Sequence, residues 1–268
     1  MTSGTMTDGK QKELARCGPF AAQLAKQSGA LIMGYYGTGV AVERKADASP
    51  VTIADREAEA LMRREIAKAF PAHQVLGEEA GLSGPEDSAW RWVLDPIDGT
   101  KSFIHGVPLF GTLIALLHEG QPVLGAIHLP TSGDLVLGIQ GQPTTLNGKA
   151  VRVKETTRLE EATFCVTSTR SVAEHGFWPG YEALQRRVRL VRGWGDCYGH
   201  FLVATGRADI MFDAVMNLWD IAALKPCIEG AGGRITDAQG DPQGNDSALS
   251  TNGYLHDEVL AILQGRDG

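Results

Sequence analysis

Two carboxylates, Asp95 and Asp98, stand three residues apart across Pro96-Ile97, and a glycine and a hydroxyl, Gly99 and Thr100, follow at once. Magnesium takes oxygen ligands in octahedral geometry and keeps several waters. Proline fixes its own φ, so the turn between the acids is stiff. Both carboxylates can then face one site, with the Ile97 carbonyl beside them. Gly99 lets the backbone approach a ligand closely. A helix opening at Thr100 and Lys101 presents free N–H groups suited to a phosphate. Glu78 in Gly77-Glu78-Glu79, Asp55 after Val51-Thr52-Ile53-Ala54, and Asp220 in Trp219-Asp220 are further oxygen donors. Singly, Asp55, Asp98 and Asp220 also read as helix N-caps, and Glu78-Glu79 as a solvated pair. Together they read as a site for hard divalent cations and a phosphate.

These residues need elements to hold them. Apolar spacing predicts helices over 12–36 and 54–70, the second stopped by Pro71. Short strands over 74–77 and 91–94 lead into the two acidic motifs. A meander of strands follows over 110–118, 123–129 and 134–139. Beyond it the expected order is strand 162–169, helix 180–187, strand 189–191, helix 198–205, strand 210–213, helix 221–230, strand 234–236 and helix 256–263. Alternating strands and helices imply an α/β half, after a first half that reads as α+β. Residues 1–11 read as a disordered lead-in, 12–145 as the half with most candidate metal ligands, and 146–268 as the half with Asp220. The division falls in the Gly-, Gln-, Pro- and Thr-rich stretch 140–147.

The 268 residues are 43% hydrophobic and 21% charged, ordinary for a globular protein, with net charge −7. That acidity argues against a nucleic-acid partner, and a phosphorylated substrate needs cations to offset the repulsion. No stretch approaches a membrane span, and the N-terminus lacks an apolar signal core. Cys17, Cys165, Cys197 and Cys227 are widely spaced and read as reduced core thiols of a cytoplasmic protein, which leaves little basis for zinc. His105, His118, His128, His200 and His256 show no ligand spacing and read as packing, surface or cap residues, although His200 lies one helical turn from Asp196.

The chain resembles the inositol monophosphatase-like superfamily of magnesium-dependent, lithium-sensitive phosphatases. Val51-Thr52-Ile53-Ala54-Asp55, Gly77-Glu78-Glu79, Asp95-Pro96-Ile97-Asp98-Gly99-Thr100 and Trp219-Asp220 with Gly230-Ala231-Gly232-Gly233 carry that resemblance. It implies the layered α-β-α-β-α sandwich of the inositol monophosphatase/fructose-bisphosphatase type, and a homodimer. By the same resemblance, Glu78, Asp95 and the Ile97 carbonyl hold a first Mg2+. Asp95, Asp98 and Asp220 hold a second, and a weaker third lies near Glu78. Gly99 and Thr100 amides bind phosphate. Glu78, Thr100 and Asp55 are the implied catalytic residues, Thr100 pairing with Asp55 to help orient and deprotonate the attacking water. Lys45 matches a loop that closes over the metals in relatives; it also reads as a plain solvated lysine.

Within the superfamily, Gly195-Asp196-Cys197-Tyr198, Phe110-Gly111-Thr112 and Leu255-His256-Asp257-Glu258 are similar to the histidinol-phosphate phosphatase branch. Histidinol phosphate carries an ammonium and an imidazole, which nearby carboxylates favour. Asp196 and Asp213 fall where relatives line the leaving-group side, and are the expected substrate-binding residues. Met216-Asn217-Leu218 departs from that branch, where a proline and a tyrosine are usual, so a broader substrate range stays open. An inositol-1-phosphate or general sugar-phosphate monophosphatase is the nearest rival. Phosphoadenosine-phosphate phosphatase and a non-catalytic regulatory module are weaker ones.

Overall fold

Apolar residues recur at helical spacing from Leu14 to Ile32, and a computed structural model, which describes residues 8–44 and 50–266, carries them on one helix, α1 (Asp8–Met33). Residues 8–11, expected in the lead-in, are its first turn. Asp8 suits the positive end of the helix, and Lys12 Nζ pairs with it at 2.6 Å. An antiparallel pair, β1 (Val42–Arg44) and β2 (Pro50–Thr52), precedes α2 (Ile53–Ala69). Next come β3 (Gln74–Gly77), β4 (Gly81–Ser83), β5 (Trp90–Asp98), α3 (Thr100–Ile104), β6 (Gly111–His118), β7 (Gln121–Leu129), β8 (Asp134–Ile139), β9 (Thr145–Leu146) and β10 (Lys149–Ala150). The remainder is β11 (Thr163–Val166), α4 (Thr169–Glu174), α5 (Trp178–Arg187), β12 (Leu190–Arg192), α6 (Asp196–Ala204), β13 (Ile210–Asp213), α7 (Leu218–Ile221), α8 (Leu224–Gly230), β14 (Arg234–Thr236), β15 (Ala248–Thr251) and α9 (His256–Leu263).

Among the described residues the first sheet has the order β10-β9-β8-β7-β6-β5-β3-β4 and is antiparallel except where β3 runs beside β5. It continues past residue 145, because Asn147-Gly148, both at positive φ, make a tight hairpin turn between β9 and β10. The second sheet has the order β12-β11-β13-β15-β14. Here β11 is parallel to β12 and β13, while β15, a short strand with a polar sequence that periodicity does not reveal, is antiparallel to β13 and β14.

Both faces of the central strands β5, β6 and β7 are largely buried, so these strands are mostly apolar. Trp92, Leu94, Ile114 and Leu124 pack under α1 and α2 against Leu14, Leu24, Met62 and Ile66. Val93, Leu113 and Ile127 pack with Phe201, Leu224 and Ile228 of α6 and α8. Phe164, Phe212 and Leu249 of the second sheet pack with Tyr181, Leu184 and Val259 of α5 and α9. The layers are therefore α-β-α-β-α, as expected.

The expected helix 221–230 is divided into α7 and α8. Pro226 cannot donate to the residue 222 carbonyl and its ring crowds that carbonyl, so the helix restarts there. Gly125 on β7 and Gly138 on β8 are cross-strand partners. A Cβ on Gly125 would overlap the Ala223 backbone carbonyl, and one on Gly138 the Pro226 backbone. The pair forms a notch into which the start of α8 settles, directly behind α7.

Candidate active site

In a regular strand, residues i and i+3 point to opposite faces. Strand β5 slips register against β6 between Asp95 and Asp98, and the irregularity turns both carboxylates into one cleft. Buried Thr112 Oγ1 pins the slip by donating to the Pro96 carbonyl at 2.8 Å. The small helix α7 brings Asp220 to the same place. Ligand oxygens of Asp95, Asp98 and Asp220 all lie within 4.8 Å of one another. Asp220 is not an N-cap. It is the third helical residue, and its Oδ2 accepts from the Asn217 N–H at 2.7 Å. Asp98 Oδ2 accepts from the Cys197 N–H at the start of α6.

Glu78 lines this cleft together with Ile97, Gly99 and Thr100. It sits outside the tight Asp95–Asp98–Asp220 group. Its turn is held by a residue that motif reading overlooks. Glu59 of α2, 1% exposed, accepts from the Glu79 N–H at 2.7 Å, the Ala80 N–H at 3.0 Å and Arg63 Nε at 2.7 Å. The available signal was a carboxylate on the apolar helix face of Ala58, Met62 and Ile66.

Asp55 is also a third helical residue. Its Oδ2 accepts from the N–H and the hydroxyl of Thr52, each at 2.7 Å. The expected Asp55–Thr100 hydrogen bond is not formed among the described residues, because Thr100 Oγ1 donates instead to the Ile97 carbonyl at 3.0 Å. Lys45 lies outside the described residues.

Crowding acids in a buried cleft penalises their charge. Asp95 is raised well above the usual carboxylate range by burial and then by Glu78, Asp98 and Asp220. Burial and then Asp196 and Asp220 raise Asp98 likewise. Asp220 is pushed up to about 6, chiefly by burial. Asp95 Oδ1 is buried with no hydrogen-bond partner among the described residues, which is costly unless a bound ion or water satisfies it. An all-oxygen donor set with an orphaned carboxylate oxygen fits a hard divalent cation and not a thiophilic one.

Linkage gives this a sign. Raised carboxylate values favour the fold at low pH; that stability falls as pH rises from the ordinary carboxylate value of 3.8, and the Asp220 share is gone above about 6. A bound dication removes the loss. Mg2+ is therefore expected to raise the melting temperature more at pH 8 than at pH 5. Equal shifts by differential scanning fluorimetry at both values would contradict the fit.

The cleft, about 580 Å³, continues to Asp196 and Asp213, with Val215, Met216 and Trp219 as an apolar wall. Asp196 opens α6 but caps nothing with its side chain; Gly195 is the N-cap. Its backbone is left-handed, φ 53°, a strained state for a residue with a Cβ, held by donation from its N–H to Thr167 Oγ1 at 2.7 Å. Burial and then Asp213 push its carboxyl to about 7, against the pull of Lys101. Gly99 has φ 86°, and a Cβ there would sit 2.8 Å from the Leu109 carbonyl and 3.3 Å from Asp196 Oδ2. The residues offered for phosphate and for leaving group thus adjoin. Trp194 and Tyr198 do not line the cleft; Tyr198 packs on the core beside Phe201.

Residues 13–266 match the inositol monophosphatase family. The chain belongs to that family. A histidinol-phosphatase of Chlorobaculum parvum is 42% identical over 246 residues, 91% of this chain and 95% of that one. The chloroplastic bifunctional phosphatase IMPL2 of Arabidopsis thaliana is 40% identical over 94% of this chain and 76% of its own length. Among solved structures, an IMPase of Thermotoga maritima superposes with TM-score 0.84 at 30% identity, covering 92% of this chain and 96% of that one. This inositol monophosphatase family member is accordingly a phosphatase with a layered α/β fold, and no helix among the described residues is long and apolar enough to cross a membrane.

Proposed function

We propose that this family member is a Mg2+-dependent histidinol-phosphate phosphatase. The observation that carries the reading is the pair Asp196 and Asp213 on the wall of the cleft that holds the acidic cluster. A carboxylate kept in left-handed backbone without a capping bond serves no local structural need, and two acids there suit an ammonium or imidazolium. Resemblance to histidinol-phosphatases at 42% identity supports the same choice. Met216 and Asn217, on the same wall, favour inositol-1-phosphate or another sugar phosphate as the second reading.

Glu78, Asp95 and the Ile97 carbonyl would hold one ion, and Asp95, Asp98 and Asp220 a second. When bound, the ions offset phosphate charge and acidify a water nucleophile. Gly99 and Thr100 amides orient the phosphate. Thr100, donating to Ile97, keeps its oxygen lone pairs for a hydrogen bond from water, and Glu78 receives the proton. The water oxygen bonds to phosphorus as the ester P–O bond breaks, and the departing alkoxide takes its proton from a solvent water, whose hydroxide is neutralised by the proton Glu78 gives back. Asp55 holds Thr52 and the start of α2 rather than the water.

Steady-state rates on histidinol phosphate, inositol-1-phosphate and phosphoadenosine phosphate test this. A preference for histidinol phosphate of about tenfold or more is expected, equivalent to ~1.4 kcal/mol of transition-state discrimination. Asp196→Asn keeps shape and tolerates left-handed backbone; it should lower that preference roughly 10- to 50-fold by removing a charge-assisted contact. An unchanged preference in this variant, with the Mg2+-induced melting shift intact, defeats the assignment of Asp196. Equal or better turnover of inositol-1-phosphate by the unmodified enzyme selects the second reading.

A further inference from the structure

Asp213 is held from behind. His200, fully buried on α6, places Nε2 3.2 Å from Asp213 Oδ2, and its Nδ1 lies 2.8 Å from Ser250 Oγ on β15. Among the described residues the His200 ring is the hydrogen-bond partner of the Asp213 carboxylate. Asp213 ends β13, where it pairs with Ala248 of β15. A carboxylate at a strand end, 7% exposed, has more than one rotamer open to it. A buried ring hydrogen-bonded to a side chain on each of β13 and β15 removes that choice.

His200 follows Asp196 by four residues on α6. The same helix thus supplies one acid directly and fixes the other through an imidazole. We propose that His200 is a positioning residue for leaving-group recognition: by donating Nε2–H to Asp213 Oδ2, with Ser250 setting the ring, it leaves the other Asp213 oxygen aimed at a cationic leaving group. This rests on the histidinol-phosphate reading and adds to it the residue that orients the second acid.

His200→Phe keeps a buried planar ring and removes the donor. His200→Gln restores an N–H near the Nε2 position. Both are compared with the unmodified enzyme on histidinol phosphate and on glycerol 2-phosphate, whose leaving group is uncharged. For His200→Phe the KM for histidinol phosphate should rise about tenfold, with kcat changed much less, as expected when binding of one polar group is lost. The KM for glycerol 2-phosphate should stay within about twofold. His200→Gln should recover most of the lost selectivity. If His200→Phe does not fold, Ser250→Ala takes its place, with a smaller shift in the same direction. A parallel loss on both esters, or unchanged selectivity, overturns the role of His200. Absence of any histidinol-phosphate preference in the unmodified enzyme removes the underlying reading and this inference with it.

Discussion

Asp95→Asn is expected to abolish turnover and, without metal, to raise the melting temperature. The two effects share one cause. Asp95 is 2% exposed, one of its oxygens has no hydrogen-bond partner among the described residues, and Glu78, Asp98 and Asp220 all oppose its charge. Keeping an acid there costs the metal-free fold free energy at neutral pH, because a raised carboxylate value penalises the fold at every pH above the ordinary carboxylate value. The amide keeps the shape and carries no charge. In EDTA at pH 8 the substitution should stabilise the fold by about 1–2 kcal/mol, the usual scale of gains at strained functional sites. Asp95 is also the carboxylate assigned to both ions, so kcat/KM should fall by ~10³-fold or more, comparable to losing a principal electrostatic contact in a transition state. The Mg2+-induced melting shift should shrink with it. An EDTA melting temperature that drops, or activity within tenfold of the unmodified enzyme, refutes the assignment.

Gly125→Ala is expected to damage both fold and activity from a position well behind the cleft. The added methyl meets the Ala223 backbone carbonyl, which no rotamer change can move aside. Overpacking of this kind costs about 1–3 kcal/mol, and the upper end applies where the obstruction is backbone. Relief requires α8 to lift from β7 and β8, and α7 moves with it. Since α7 carries Asp220, the acidic cluster opens. A displacement near 1 Å at a catalytic group costs on the order of 10²-fold in rate. Chemical denaturation and kcat/KM measured on the folded fraction separate the two effects. Full activity in a destabilised protein would show that Asp220 does not depend on the notch.

The contrast between those positions marks what sequence can disclose. Asp95, Ile97, Asp98, Gly99 and Thr100 are legible because they form one local turn, whose stiffness and backbone freedom follow from Pro96 and Gly99. Glu78 and Asp220, which line the same cleft, can be sought once that turn suggests a cation that needs more oxygens. Apolar periodicity yields many of the elements, and the layer order follows from the family resemblance. Glu59, Thr112, His200 and the pair Gly125–Gly138 act across distances in sequence that no spacing rule spans. Each is an ordinary residue until its partner is known. The undivided helix expected over 221–230 overlooked that Pro226 forbids it, although the proline was in plain view. The Asp55–Thr100 hydrogen bond is not formed among the described residues because the Thr100 hydroxyl finds a nearer acceptor in the Ile97 carbonyl of its own turn.

The left-handed backbone at Asp196 bears on how such an enzyme changes over generations. Glycine adopts that conformation without strain, and a single base change in an aspartate codon yields it. Asp196→Gly would also delete a carboxylate crowded by Asp98 and Asp213. The substitution is thus favourable to folding on both counts, and on the proposed reading it surrenders the preference for a cationic ester. On the proposed reading, the demand for that substrate is what keeps the aspartate in place. Once a duplicate copy is freed from the demand, its specificity erodes in the direction folding already prefers, while the phosphate-cleaving apparatus stays whole and available to another alcohol.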